Sequence, residues 1–179
     1  MNYATIKPLD VANGEGIRVS LFVSGCTHHC PECFNREAWD FNYGQEYTEE
    51  VENKILELLG KSMIQGLSLL GGEPFEPCNQ RVLVKLLRRA KAMYPEKTVW
   101  CYTGYVYDKE LKAESRARCE VTDEMLSMID ILVDGRFEKD LKNLNLRFRG
   151  SMNQRVIDLN ETKKCGEIKL WKGLSGERV

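Results

Sequence analysis

Hydrophobic and polar positions follow two different periods along the chain, which predicts strands separated by helices. Short apolar runs that stop at glycine or a turn indicate strands, and apolar residues at helical spacing indicate amphipathic helices. The predicted strands cover residues 17–23, 66–70, 98–102 and 129–133, with weaker candidates at 155–159 and 168–171. The predicted helices begin at Thr48, Asn79 and Thr122 and end near Leu59, Met93 and Met128.

This alternation is typical of parallel β-α-β units with right-handed crossovers. The chain has 179 residues, enough for one domain with a real core. A complete eight-fold barrel usually needs about 250 residues. We therefore expect an α/β fold, namely an incomplete (β/α) barrel with a curved, mostly parallel sheet, and a single domain over residues 1–179.

Composition and charge narrow the classes of function. The formal net charge is −1, so charge gives no indication of a nucleic-acid or membrane partner. We find neither an apolar run of about 18 residues nor the pattern of a signal peptide. Seven cysteines without a secretory signal argue against a disulfide framework and favour metal or redox chemistry. We expect a cytoplasmic protein.

Three of the cysteines, Cys26, Cys30 and Cys33, lie within eight residues, and we call residues 26–33 the cysteine loop. Thiolates bind soft metals, and one short loop can supply three of them to an iron–sulfur cluster. A fourth iron then remains free to bind a small molecule. A zinc site completed by His28, His29 or a distant cysteine is the alternative. It is less favoured, because zinc sites usually carry two Cys-x2-Cys pairs and this chain has one.

Three other turns follow predicted strands, as the cysteine loop does: the Gly71-Gly72-Glu73 turn, Thr103-Gly104 and Asp134-Gly135. Ligand sites in parallel α/β folds lie at the carboxyl ends of the strands, so these residues should converge on one edge. A Gly-Gly turn alone more often only ends a strand. Beside a three-cysteine loop it favours a ligand site, with the Glu73 carboxylate suited to an ammonium group.

The cysteine loop and the Gly-Gly-Glu turn together resemble the radical S-adenosylmethionine superfamily. Further segments resemble the branch of glycyl-radical activating enzymes that serve anaerobic ribonucleoside-triphosphate reductases. The matching stretches are spread in order over most of the chain and cover residues 13–35, 67–75, 99–105, 130–141 and 146–158.

The resemblance implies a cofactor site. Cys26, Cys30 and Cys33 would ligate a [4Fe-4S] cluster, and its fourth iron would bind the amino and carboxylate groups of S-adenosylmethionine. Residues implied to contact this cofactor are Glu32, Cys33, Phe34, Gly71, Gly72, Glu73, Thr103, Asp134 and Arg136, with Gly104 beside them. The chain departs from many members of the superfamily at Glu32, where they have an apolar or aromatic residue.

The resemblance also implies an activity. A low-potential donor such as flavodoxin or ferredoxin would reduce the cluster and S-adenosylmethionine would be cleaved. The resulting 5′-deoxyadenosyl radical would take a hydrogen from a glycine of the reductase large subunit. No residue need act as acid or base. The alternatives are activation of another glycyl-radical enzyme such as pyruvate formate-lyase, radical chemistry on a small molecule, or a non-catalytic zinc or electron-carrier module.

The remaining polar and thiol residues have simpler interpretations. We expect His28 and His29 to be solvent-exposed spacers, with tuning of the cluster as the alternative. We expect Cys78 to be a free thiol and Cys101 a core residue. Residues 136–179 carry 11 basic and 6 acidic groups, which favours a solvated face. The loop at 136–150 is a hypothetical docking surface for the reductase.

Overall fold

A computed structural model describes residues 1–174 and contains one seven-stranded sheet. Its strands are β1 (Asn2–Asp10), β2 (Arg18–Val23), β3 (Gln45–Glu46), β4 (Gly66–Gly71), β5 (Thr98–Tyr102), β6 (Ile131–Asp134) and β7 (Arg155–Asp158). The helices are α1 (Glu49–Leu59), α2 (Pro77–Met93), α3 (Thr122–Met128) and α4 (Leu159–Cys165). Short 3-10 turns lie at Arg36–Trp39, Lys139–Leu141 and Lys172–Leu174, and a π-helical turn at Tyr107–Leu111.

The strand order is β3-β1-β2-β4-β5-β6-β7. The four central strands β2, β4, β5 and β6 run parallel and are connected in turn through α1, α2 and α3. The outer strands β1, β3 and β7 pair antiparallel. The predicted α/β class and the parallel crossovers are therefore confirmed. Over residues 1–174 the sheet is open, with β3 and β7 at its edges, so the predicted barrel character is not confirmed.

The helices pack on one face of the sheet and form the larger core. Alternate strand residues point into it, among them Leu21, Leu69 and Leu132, each 0% exposed. Trp100 and Val133 belong to a smaller cluster on the other face, against which Trp171 packs. The sheet therefore separates a helix-covered face from a face covered by loops.

Several elements differ from the sequence prediction. The second helix begins at Pro77, not after a cap at Asn79, because proline fits the first turn of a helix, where its missing N–H is not needed. Strand β1 and helix α4 were not predicted. The side chain of Asp158 caps α4 by accepting from the backbone N–H of Glu161.

None of the helices within residues 1–174 combines the length and the apolar character needed to cross a membrane.

Candidate functional site

The segments that follow β2, β4 and β5 meet at one edge of the sheet and are bonded to one another. The backbone N–H of Gly72 donates to the Val23 carbonyl at 2.7 Å, and that of Glu73 donates to the Gly25 carbonyl at 2.8 Å. The Gly104 N–H donates to a carboxylate oxygen of Glu73 at 2.7 Å. The predicted convergence of these turns on one edge is therefore observed.

The cysteine loop has a tightly turned backbone. His29 and Glu32 have φ angles of 50° and 57°, in the left-handed region that few residues other than glycine adopt. The N–H of Cys33 donates to the Cys30 carbonyl at 3.1 Å and closes a turn. The loop therefore wraps back on itself between its second and third cysteines.

The thiols of the loop lie partly below the surface. Cys26 is 8% exposed, and Cys30 and Cys33 are half-buried. Burial and the nearby Glu73 carboxylate raise the pKa of Cys26 to about 12, although two backbone N–H groups of the loop donate to its sulfur. Such a thiol is protonated at neutral pH. Because only the thiolate binds metal, binding there must release a proton.

Residues that follow β6 reach Cys30. Burial raises the pKa of the Cys30 thiol, and the neighbouring Cys33 adds to this effect. A backbone hydrogen bond from Phe137 and the positive charge of Arg136 act in the opposite direction. Arg136 is therefore close to the cysteine loop, and its predicted contact with the cofactor stays a prediction. Its guanidinium is half-exposed and lies 3.7 Å from Glu110.

The carboxylate of Asp134, the other predicted cofactor contact after β6, already has hydrogen-bond donors within the protein. Its carboxylate is 1% exposed and accepts two hydrogen bonds from the guanidinium of Arg155, one of them at 2.9 Å. It also accepts from the backbone N–H of Tyr107 at 2.8 Å. These contacts favour a structural role at the end of β6.

Glu73 is buried as well, with 1% of its side chain exposed. One carboxylate oxygen accepts from the N–H of Phe75 at 2.8 Å. The other accepts from Gly104 and lies 3.0 Å from Nε2 of His28. Each oxygen of the carboxylate predicted to bind an ammonium group therefore already has a donor from the protein.

The expectation that His28 is an exposed spacer is wrong. Its side chain is 2% exposed, because the ring packs edge-on against Tyr105, with 4.3 Å between ring centroids, and pairs with Glu73. His29 is exposed, as expected, and stacks on Trp39 at 4.7 Å between centroids.

Gly71, Gly72 and Thr103, which the sequence predicted as cofactor contacts, lie where the turns pack closely together. Gly71 has a φ of 110°. A Cβ on Gly72 would lie 2.6 Å from the carbonyl oxygen of Gly25, the residue before the cysteine loop. Thr103 is 5% exposed, and its hydroxyl accepts from the N–H of Tyr105 at 3.0 Å. The turn after β4 therefore leaves no space for a side chain between it and the loop.

Two predicted cofactor contacts lie at the surface, Glu32 within the cysteine loop and Phe34 directly after it. Glu32 is half-exposed and pairs with Lys139 at 2.7 Å. Phe34 is 87% exposed, which is unusual for an aromatic residue of this size. Phe34 is therefore available to pack on a planar ligand beside Cys33.

Two residues that hold the loop, Glu76 and Asn79, were not predicted from the sequence. The Glu76 carboxylate accepts from both the N–H and the hydroxyl of Thr27, at 2.9 and 2.6 Å. The amide of Asn79 donates to the carbonyls of Ser24 and Glu73 at 3.0 and 2.9 Å. A second glutamate soon after the Gly-Gly turn could have indicated a role for Glu76. Nothing in the local sequence pattern indicated the role of Asn79.

Among residues 1–174, no three His, Cys, Asp or Glu side chains converge closely enough to bind a single metal ion. A zinc site requires such convergence, since its ligands all bind one ion at about 2.0–2.3 Å. An iron–sulfur cube makes a different demand, because each cysteine binds its own iron. Three thiols on one wrapped loop, with backbone N–H groups directed at the sulfurs of Cys26 and Cys30, fit that demand.

Buried polar atoms beside the loop also fit a polar ligand. The hydroxyl of Ser24 and the Nδ1 atom of His28 have no hydrogen-bond partner among the described residues. Buried polar atoms without a partner are rare in folded proteins, since each lowers the stability of the fold by about 1–3 kcal/mol. Their collection around one loop is consistent with a site that encloses a further polar group.

Comparison with known sequences agrees with this site. Residues 12–157 match the family described as 4Fe-4S single cluster domain. An anaerobic ribonucleoside-triphosphate reductase-activating protein of Escherichia coli (strain K12) is 45% identical over 161 residues, which cover 89% of this chain and 99% of that protein. Proteins with the same name from Pasteurella multocida and from Enterobacteria phage T4 are 44% and 42% identical, and 95% and 93% of their lengths are covered.

The α/β fold and the cysteine loop, with the match over residues 12–157, define a protein of the single-cluster iron–sulfur class. Within this class, the chain belongs to the family of anaerobic ribonucleoside-triphosphate reductase-activating proteins.

Proposed function

We propose that this chain is an activating enzyme of an anaerobic ribonucleoside-triphosphate reductase. It uses a reduced [4Fe-4S] cluster to cleave S-adenosylmethionine and to generate a glycyl radical on the large subunit of the reductase. The observation that carries the proposal is the position of the three cysteines. They lie on one loop at the carboxyl edge of the parallel strands, bonded to the Gly-Gly-Glu turn.

In this proposal Cys26, Cys30 and Cys33 hold the cluster, and the half-exposed edge of the loop faces S-adenosylmethionine. When bound, the cluster would supply the single electron for reductive cleavage of S-adenosylmethionine, which is the chemistry that hydrogen abstraction from a glycine of the partner requires. The protein holds and orients these groups. Backbone N–H groups directed at Cys26 and Cys30 stabilise sulfur-centred negative charge.

The exposed ring of Phe34 is suited to pack on the adenine, and the positive charge of Arg136 is suited to the cofactor carboxylate. The cluster needs an electron from a low-potential protein such as flavodoxin or ferredoxin. The proposal also includes a single domain over residues 1–179. It includes a cytoplasmic location, where thiols remain reduced.

The partner would dock near the cysteine loop, and the basic loop at 136–150 is the proposed contact. Arg147 and Arg149 are poor positions to test it, because both donate to backbone carbonyls of this chain, those of Gly173 and Gln154. Lys142 is exposed and is a better position. Lys142→Glu should weaken capture of the reductase large subunit without changing the cluster, and unchanged capture would argue against this contact.

The test of the proposed function is anaerobic reconstitution with iron and sulfide, followed by reduction and electron paramagnetic resonance with and without S-adenosylmethionine. We expect a reduced-cluster signal that changes when S-adenosylmethionine is added. Cys30→Ser should abolish the signal. Cys165→Ser, which removes an exposed thiol at the end of α4, should preserve it. A signal indifferent to S-adenosylmethionine would leave an electron carrier as the better description.

The partner is tested by exchange. The reduced protein, with S-adenosylmethionine, should produce a doublet radical signal on the large subunit of an anaerobic ribonucleoside-triphosphate reductase. Pyruvate formate-lyase should remain without signal under the same conditions. The reverse result would assign the chain to another glycyl-radical enzyme.

A further inference from the structure

The cysteine loop contains a buried pair that joins it to the ends of two strands. Nε2 of His28 lies 3.0 Å from a carboxylate oxygen of Glu73, and the two side chains are 2% and 1% exposed. Because the carboxylate only accepts, Nε2 is the donor in this bond. A charge-assisted hydrogen bond in such a dry environment is stronger than a neutral one.

The Glu73 carboxylate has little capacity for an additional ligand. Its first oxygen accepts from the N–H of Phe75, and its second accepts from the N–H of Gly104 and from His28. These donors come from the turn after β4, from the turn after β5 and from the cysteine loop. An incoming ammonium group would have to compete with bonds that the fold already makes in a site closed to water.

The His28 ring occupies a niche shaped for it. A Cβ on Gly104 would lie 2.4 Å from Cδ2 of the ring, so only glycine is compatible with the ring at this position. Tyr105 packs against the ring from another side, with 62° between the planes. Shape and hydrogen bonding therefore fix the side chain that lies between Cys26 and Cys30 in sequence.

We infer that Glu73 and His28 are a positioning pair: they fix the cysteine loop against the ends of β4 and β5 before any cluster binds. The Glu73 carboxylate then orients the loop and does not bind the ammonium group of S-adenosylmethionine. This inference rests on the proposed function for the identity of the bound groups. The positioning of the loop by this pair is a property of the metal-free protein and does not depend on that activity.

The first measurement is hydrogen exchange of the cysteine-loop amides in the metal-free protein, with the midpoint of global unfolding measured in parallel. His28→Phe keeps a ring in the niche but removes the donor, and Glu73→Gln removes the charge. Both should accelerate exchange of the loop about tenfold to a hundredfold, the range expected for loss of a hydrogen bond to a charged group. This acceleration of exchange should exceed the acceleration that any shift in the midpoint of global unfolding would cause.

Two further variants sharpen this measurement. His28→Gln replaces the ring by an amide that can still donate to Glu73, and it should restore much of the loop protection. Glu120→Gln removes the same charge from an exposed pair with Arg81, and it should leave loop exchange unchanged. The double variant with His28→Phe and Glu73→Gln should be no worse than the more severe single variant, since both changes act on the same bond.

The second measurement uses the reconstituted protein and its affinity for S-adenosylmethionine. If His28 and Glu73 are a positioning pair, His28→Phe and Glu73→Gln should alter the spectrum of the reduced cluster in the same way. Both should also lower the affinity for S-adenosylmethionine to a similar extent. The inference is overturned if Glu73→Gln alone abolishes the response to S-adenosylmethionine while loop exchange is unchanged in both variants. Failure of the proposed function would instead remove the response from the unsubstituted protein, and the exchange result would remain interpretable.

Discussion

Asp134 and Arg155 form an ion pair at the end of β6, in which two nitrogens of the partly exposed guanidinium donate to a carboxylate that is 1% exposed. Replacing Arg155 with methionine would leave the Asp134 charge buried with a single backbone donor. We expect Arg155→Met to lower the free energy of unfolding by about 3 kcal/mol, measured by denaturant titration of the metal-free protein.

A double variant distinguishes this structural role from a contact with the cofactor. Adding Asp134→Asn to Arg155→Met removes the unpaired charge and should recover part of the lost stability. If Asp134 instead binds the cofactor, Asp134→Asn alone should weaken the affinity for S-adenosylmethionine and leave the metal-free protein as stable as before.

Gly72 lies in the turn after β4 and packs directly against the backbone of Gly25 and Ala38, on either side of the cysteine loop. The Cβ of Gly72→Ala would lie 2.6 and 2.8 Å from the carbonyl oxygens of Gly25 and Ala38, which are backbone atoms that cannot rotate away. We expect this variant to lose about 2 kcal/mol of stability and to bind less iron per chain after reconstitution. Iron and sulfide analysis with parallel unfolding measurements checks both.

Gly166 provides a matched control for that prediction. It has a φ of 73°, and a Cβ added there would have no atom of the described residues within 4 Å, so Gly166→Ala introduces backbone strain without a clash. We expect a loss of about 1 kcal/mol of stability and an unchanged iron content. Equal iron content in both variants would show that the close packing at Gly72 does not position the loop.

The sequence predicted the elements whose signals are local. Thr48 caps α1, its side chain accepting from the N–H of Val51, because threonine satisfies a free N–H at a helix start. Strand β5 covers Thr98–Tyr102, as predicted, since its apolar run stops at a turn. The cysteine loop and the turns after β4 and β5 meet as expected, because parallel strands end on the same edge.

The parts that were missed depend on contacts distant in sequence. Asn79 looked like a helix cap, yet its amide bridges the carbonyls of Ser24 and Glu73, and Pro77 begins the helix instead. His28 looked like a spacer because its partner, Glu73, is 45 residues away. No periodicity within a segment encodes such a pair, so only the assembled fold reveals it.

Substitution of Phe34 should affect the binding of S-adenosylmethionine without affecting the stability of the fold. Its side chain is 87% exposed, so Phe34→Ala should change the free energy of unfolding by less than about 0.5 kcal/mol. If the ring packs on the adenine, the affinity for S-adenosylmethionine should fall about tenfold, consistent with the loss of one stacking contact. Anaerobic titration of the reconstituted protein measures this change.

Leu144→Ala is the control for Phe34→Ala, since Leu144 is similarly exposed, at 89%, and lies outside the cysteine loop. It should leave both stability and affinity unchanged. An equal loss of affinity in the two variants would indicate a general surface effect and remove the argument for stacking by Phe34.

Asp130 joins three elements at the opposite edge of the sheet. Its carboxylate accepts from Lys91 of α2 and from the N–H of Val99 in β5, each at 2.7 Å, and from Asn160 of α4 at 2.9 Å. Burial acts to raise the pKa of Asp130, but hydrogen bonds from Lys91, Asn160 and Val99 outweigh it and lower the pKa below its usual value.

A lowered pKa in the folded state means that ionised Asp130 stabilises the protein above the unfolded pKa, at about pH 4, and that this stabilisation is lost as pH falls further. Asp130→Asn should therefore cost about 2 kcal/mol at pH 7, and the difference from the unsubstituted protein should shrink below about pH 4. Asn160→Ala removes one donor, so it should keep this pH dependence but move it to higher pH. Unfolding titrations between pH 3 and 7 measure both effects, and a pH-independent difference for Asp130→Asn would contradict the linkage.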